Sequence, residues 1–124
     1  MNKNDAMLIT VLGAWLKEKK PRKMFVVCNV AETVVISQLS GFLNLLQANV
    51  VRLDCNSVKH FCNGKAKVPL SLMLTGADDA DCYTIERLLA ADAKIMFFTK
   101  PNSALLKKAP KDAMIIVALT DGNN

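Results

Sequence analysis

The chain has 124 residues, 52% of them hydrophobic and 22% charged, which excludes an intrinsically disordered protein and predicts one globular domain. Sixteen Lys and Arg against eleven Asp and Glu give a net charge of +5, which favours anionic partners, nucleic acid first. No apolar run approaches the roughly 18 residues of a membrane span, and residues 7–16 lack the cleavage site of a signal peptide. We therefore expect a cytoplasmic domain that inserts into no membrane and keeps its four cysteines reduced.

The pattern of apolar residues predicts alternating helices and strands. Helical spacing covers residues 6–19, 32–48, 82–91 and, more briefly, 102–108. Continuous apolar runs, typical of strands buried on both faces, cover residues 24–28, 50–54, 70–74, 95–99 and 114–119. This alternation predicts a three-layer α/β/α sandwich with a mostly parallel sheet. It also predicts burial of the central strand residues, namely Val26, Val27, Val51, Leu72, Met73, Ile95, Phe97, Ile116 and Val117.

The segment between the second and third strands predicts a β-hairpin. It is too short for another helix with its connections, and Asn63-Gly64 is a typical two-residue hairpin turn. We therefore expect residues 58–62 to form a strand that turns back at this dipeptide.

The segments that could bind phosphate or supply catalytic carboxylates are explained by structural roles instead. The chain has neither G-x-G-x-x-G nor G-x-x-x-x-G-K-[ST], and Thr75-Gly76 is the turn expected between a strand and a helix. Asp78, Asp79 and Asp81 precede a predicted helix, where carboxylates accept hydrogen bonds from free backbone N–H groups. We expect no catalytic residue here.

The spacing of Cys55, His60 and Cys62 differs from the paired ligands of zinc sites. His60 is the only histidine, and Asp54 is the only nearby acid that could orient it as the base of a nucleophilic site. We therefore predict no metal site, no cofactor and no enzymatic activity.

Basic residues form three groups along the sequence. Residues 17–23 cluster at the end of the first helix, where cations complement the helix dipole. The other two groups lie on the predicted hairpin and around the short fourth helix, where lysines suit contact with phosphates. We predict RNA binding by the polar and basic residues of these two groups, which are Lys59, His60, Lys65, Lys67, Lys100, Asn102, Lys107, Lys108 and Lys111.

Residues 69–101 are similar to the second half of a bacterial response-regulator receiver. A strand ending at Thr75 is followed by a helix, a strand and Lys100-Pro101. Cys28 and Asn29 replace the acidic pair of a receiver, and residues 54–68 are too few for the phosphorylated strand. This excludes a phosphorylatable receiver and leaves a degenerate receiver-like domain that docks a protein partner as the alternative function.

A second set of residues recurs at the spacing of another family, with fewer residues between Cys28 and Pro69. The set comprises Trp15, Arg22-Lys23-Met24, Cys28, Pro69-Leu70, Met73, Gly76, Glu86 and Thr99-Lys100-Pro101. In these positions the chain resembles the middle domain of the SARS-unique region, a macrodomain-like module of coronavirus nonstructural protein three.

This resemblance implies a macrodomain-like fold that binds single-stranded, guanine-rich or quadruplex RNA within a viral replicase polyprotein. It also implies a location in the host cytoplasm, with neighbouring polyprotein domains or host proteins as further partners. The N-A-A-N segment and glycine run of ADP-ribose-binding macrodomains are absent. A small enzyme acting on ADP-ribose or a nucleotide is therefore only a third alternative.

Overall fold

A computed structural model describes residues 3–62 and 71–118, with the side chains of residues 59–62 left out. Five strands alternate with four α-helices and two short 3-10 helices. The helices are α1 (Lys3–Lys17), α2 (Glu32–Leu45), α3 (Cys55–Cys62) and α4 (Cys82–Ala90), and the 3-10 helices are Ala77–Asp79 and Ala104–Lys108. The strands are β1 (Met24–Cys28), β2 (Val51–Asp54), β3 (Ser71–Thr75), β4 (Lys94–Thr99) and β5 (Met114–Ala118).

The five strands form one parallel sheet in the order β2-β3-β4-β1-β5. Buried side chains of α1 and α2 pack on one face, and those of α3, α4 and the second 3-10 helix pack on the other. The predicted three-layer α/β/α sandwich is confirmed. No helix in the described part of the chain is long and apolar enough to span a membrane.

Local sequence features explain why β1 is buried, where α4 begins and where α2 ends. Every residue of β1 is buried, and Phe25 stacks on Phe97 of the adjacent β4 with ring centroids 4.9 Å apart. The Asp81 carboxylate accepts a hydrogen bond from Thr84 N at 2.7 Å and so caps α4, as predicted. The helix predicted over residues 32–48 ends at Leu45, since Gln47 has a φ of 55° that a helix cannot continue.

The predicted hairpin is wrong, because residues 58–62 belong to α3. The Asp54 carboxylate accepts a hydrogen bond from Ser57 N at 2.8 Å, which satisfies a free donor in the first turn of this helix. Val58 is fully buried against the second face of the sheet. A strand with one buried face needs apolar and polar residues in alternation, and the sequence VKHFC of residues 58–62 does not alternate. The Asn63-Gly64 dipeptide lies outside the described residues.

The predicted burial of strand residues is confirmed for the three central strands and is wrong for two residues on the edge strands. The six residues of β1, β3 and β4 in the predicted set are buried. Val51 on β2 is 40% exposed and Val117 on β5 is 53% exposed, while Ile116 is half-buried. Because β2 and β5 are the edges of the sheet, the helical layers leave part of each strand uncovered.

Candidate nucleic-acid interface

The carboxyl ends of β1 and β4 flank a cleft. The chain leaves these adjacent strands toward opposite faces of the sheet, through α2 and the second 3-10 helix, and such crevices are common ligand sites in α/β proteins. The cleft has a volume of about 170 Å³, and its lining includes Cys28, Glu32, Gly76, Asp78, Thr99 and Lys100.

Hydrogen bonds within the protein occupy much of this cleft. Asp78 accepts from the Thr99 hydroxyl at 2.6 Å, from Lys100 N at 2.9 Å and from the Ser103 hydroxyl at 2.6 Å. The Glu32 carboxylate accepts from Gly76 N at 3.1 Å. Burial raises the pKa of Glu32, and the negative charges of Asp78 and Asp79 add to the increase. This concentration of carboxylates disfavours a phosphate ligand.

The Cys28 thiol in the same cleft is a poor nucleophile. Burial, with a contribution from the charge of Glu32, raises its pKa to about 11. The thiol is therefore protonated at neutral pH, whereas nucleophilic attack and metal binding require a thiolate. Among the described side chains, no three His, Cys, Asp or Glu residues converge as metal ligands would.

At the opposite edge, lysine side chains connect the beginnings of several strands. The buried Lys23 ammonium donates to the carbonyl oxygens of Pro21, Ala91 and Ala93 at 3.1, 2.7 and 2.7 Å. The Lys94 ammonium donates to the Leu16 carbonyl oxygen at 2.5 Å. These contacts hold the end of α1 and the beginnings of β1 and β4 together.

Cations from separate segments meet at this edge. Lys23 O also accepts from Met114 N at 2.9 Å, which brings the approach to β5 to the same place. We call the exposed and half-buried lysines here the amino-edge cluster, comprising Lys17, Lys19, Lys20, Lys94 and Lys111. Three carboxylates share the edge, namely Glu18, which pairs with Arg22 at 2.6 Å, and the exposed Asp92 and Asp112.

Two shallow depressions follow this edge and meet at Ser71. One has a volume of about 340 Å³ and is lined in part by Lys19 and Lys94. The other has a volume of about 300 Å³ and is lined in part by Lys17 and Asn49. We call the two depressions together the trough. Lysines line both, accompanied by Glu18 and Asp92 in the first and by apolar residues such as Leu16 and Leu46 in the second.

The described residues of the predicted RNA-binding set are spread over the molecule. Lys100 lies at the carboxyl edge beside Asp78, and Lys111 belongs to the amino edge, so roughly 15 Å of strand separates them. Asn102 occupies an exposed turn with a φ of 61°. Lys107 and Lys108 lie on the second 3-10 helix, between the two edges.

Four further residues complete the predicted set. Lys59 and His60 lie in α3, but their side chains are outside the description. Lys65 and Lys67 fall between the described ranges.

Sequence reasoning missed an exposed aromatic residue on α4. Tyr83 is 58% exposed, and the Arg87 guanidinium lies 5.7 Å from the centroid of its ring. A side-chain hydrogen bond to Cys82, the residue before Tyr83, raises the pKa of Lys108, and the charge of Glu86 adds to the increase. The i, i+4 spacing of Tyr83 and Arg87, outside an inward face formed by Ile85 and Leu88, was the available signal.

Comparison with protein-family models, with curated proteins and with solved structures gives no significant match.

Proposed function

We propose that this domain binds RNA through the amino-edge cluster and that its role is binding rather than catalysis. The observation that carries the proposal is the separation of charge between the two edges of the sheet. Exposed lysines gather where the strands begin, whereas Glu32, Asp78 and Asp79 surround the cleft where β1 and β4 end. Lysines that neutralise phosphates release counterions, which supplies affinity for any nucleic-acid strand.

The helix dipole explains only part of the cluster. Cations near the end of α1 complement its negative terminus, and Lys17, Lys19 and Lys20 are in that position. Lys94 also serves this helix end, because its ammonium donates to the Leu16 carbonyl oxygen in the last turn of α1. Lys111 belongs to another segment, and the helix dipole does not explain its presence at this edge. A phosphate chain along the trough would contact the lysines that line it, namely Lys17, Lys19 and Lys94.

RNA, rather than another polyanion, is supported by the resemblance to the SARS-unique region, which remains a prediction. The same holds for a viral replicase as the parent protein and for the host cytoplasm as its location. The contribution of Asn102, Lys107 and Lys108 to RNA binding is likewise a proposal, and Lys111 belongs to the amino-edge cluster itself. Lys100 lies beside Asp78 at the opposite edge, and we expect it to contribute little to RNA binding.

Two matched double variants test this function by the binding of a fluorescent single-stranded RNA at low salt. Lys19→Ala/Lys20→Ala removes two exposed charges from the amino edge, and Lys3→Ala/Lys100→Ala removes two exposed charges elsewhere. We expect the first variant to weaken binding several-fold more than the second. Equal losses would contradict the proposed surface. Failure of the unmodified protein to bind RNA would contradict the function and favour the docking of a protein partner.

A further inference from the structure

The outer surface of α4 carries a flat, partly cationic group of side chains. The Tyr83 ring is exposed, and Arg87 lies above it at cation–π distance. Lys108 interacts with Cys82, the residue before Tyr83, and with the charge of the exposed Glu86, and the exposed Lys107 precedes it. The other aromatic residues whose side chains are described are all buried, namely Trp15, Phe25, Phe42, Phe97 and Phe98.

The exposed Tyr83 ring, with the Arg87 guanidinium above it, is complementary to a ligand that has both an aromatic face and negative charge. A nucleobase stacks on tyrosine, a guanidinium also stacks on bases, and lysines neutralise the phosphates on either side. Unpaired nucleotides combine these features, because bases in a duplex already stack on one another and are not available to a flat protein surface.

We propose that Tyr83 and Arg87 form a platform on which an unpaired RNA base stacks, so that the domain prefers single-stranded to duplex RNA. This inference rests on the proposed function and names the class of RNA that the domain takes. Sequence preference is expected to be weak, since every base offers a π face.

The position of the platform allows a single RNA strand to contact both the platform and the amino-edge cluster. From Tyr83, α4 runs toward the amino edge for about 10 Å, and its C-terminal neighbour Ala91 accepts a hydrogen bond from Lys23. A strand with one base on Tyr83 therefore needs to cross only the length of this helix to place phosphates against the amino-edge cluster.

The test compares Tyr83→Ala and Tyr83→Phe with the unmodified chain on three ligands of equal length. These are a single-stranded RNA, an abasic strand with the same phosphates, and an RNA duplex. We expect Tyr83→Ala to lose about tenfold in affinity for the single strand, within the range measured for one stacked base. Tyr83→Phe keeps the ring and should bind like the parent. The abasic strand and the duplex should be bound equally by all three proteins.

Met7→Ala is the matched control, because Met7 is exposed to a similar extent and lies on the opposite helical layer. Equal binding of the single strand by Tyr83→Ala and the parent would overturn the platform. A matching loss on the abasic strand would also overturn it, because no base would then be involved.

The same ligands separate this inference from the proposed function. If Lys19→Ala/Lys20→Ala weakens binding of all three ligands while Tyr83→Ala has no effect, the amino-edge cluster stands and the platform fails. If only Tyr83→Ala weakens binding, the platform stands and the amino-edge assignment fails. If the parent binds no RNA at low salt, both fail.

Discussion

The ammonium group of Lys23 lies 2.7 Å from the carbonyl oxygen of Ala91, although 68 positions separate the two residues in the chain. The carbonyl oxygens of Ala93 and Pro21 accept its other two hydrogen bonds, which uses all three donors of a lysine. Because this side chain is only 5% exposed, its role is to fix the amino edge. The exposed lysines around it therefore lie on a part of the fold that these hydrogen bonds hold together.

Replacing Lys23→Met tests this structural role. Methionine fills a similar volume but leaves buried carbonyl oxygens without donors, and we expect the free energy of unfolding to fall by about 2 kcal/mol. Urea unfolding at neutral pH measures this change. Lys20→Met, at an exposed position, is the control and should stay within about 0.5 kcal/mol of the parent. A Lys23→Met variant as stable as the parent would show that the three hydrogen bonds do not hold the edge together.

The buried thiol of Cys28 should make stability fall in alkaline solution. Its pKa rises from 9.0 to about 11 on folding. Between these values the unfolded chain has lost the proton that the folded chain retains, so the free energy of unfolding decreases as pH rises. Burial lowers the pKa of Lys23, which acts in the opposite direction. The comparison must therefore be made between variants.

Urea unfolding of the parent, Cys28→Ala and Val26→Ala from pH 8.5 to about 11 isolates the contribution of this thiol. Cys28→Ala should lose stability less steeply with pH than the parent. Val26 is buried on the same strand and carries no titrating group, so its variant should follow the parent's slope. Parallel slopes for all three proteins would mean that Cys28 is not the group responsible.

The acidic cleft should reject ADP-ribose. A pyrophosphate placed there would meet the carboxylates of Glu32, Asp78 and Asp79. We expect a dissociation constant no tighter than millimolar, equivalent to about −4 kcal/mol. Calorimetry measures this directly. Micromolar binding would contradict the expectation and support an enzyme that acts on this ligand.

The sequence predicted the buried centre of the sheet better than its periphery. The MFVVC run of β1 and the aspartate cap of α4 each depend on local chemistry, which a sequence displays. The prediction at residues 58–62 was wrong because it rested on Asn63-Gly64 and on the shortness of the segment, whereas the Asp54 carboxylate accepts a hydrogen bond in the first turn of α3. The exposure of Val51 and Val117 depends on which strands are edges, and strand order is not visible in an apolar run.

The candidate site was harder to predict than the fold. The lysines of the amino-edge cluster are distant in sequence, and their proximity depends on interactions such as the hydrogen bond from Lys94 to Leu16. Lys100 and Lys111 flank the same short helix in the sequence, but the connection between β4 and β5 places them at opposite edges of the sheet. The pairing of Lys108 with the α4 surface also requires the tertiary structure.

The salt dependence of RNA binding tests the central claim most directly. The logarithm of the association constant for a single strand should fall linearly with the logarithm of salt concentration, because lysines that neutralise phosphates release counterions. Lys19→Ala/Lys20→Ala should flatten this slope by about 0.7 for each phosphate that is no longer neutralised, whereas Lys3→Ala/Lys100→Ala should keep the parent's slope. A parent slope near zero, or a slope flattened only in the Lys3 and Lys100 variant, would contradict RNA binding at the amino edge.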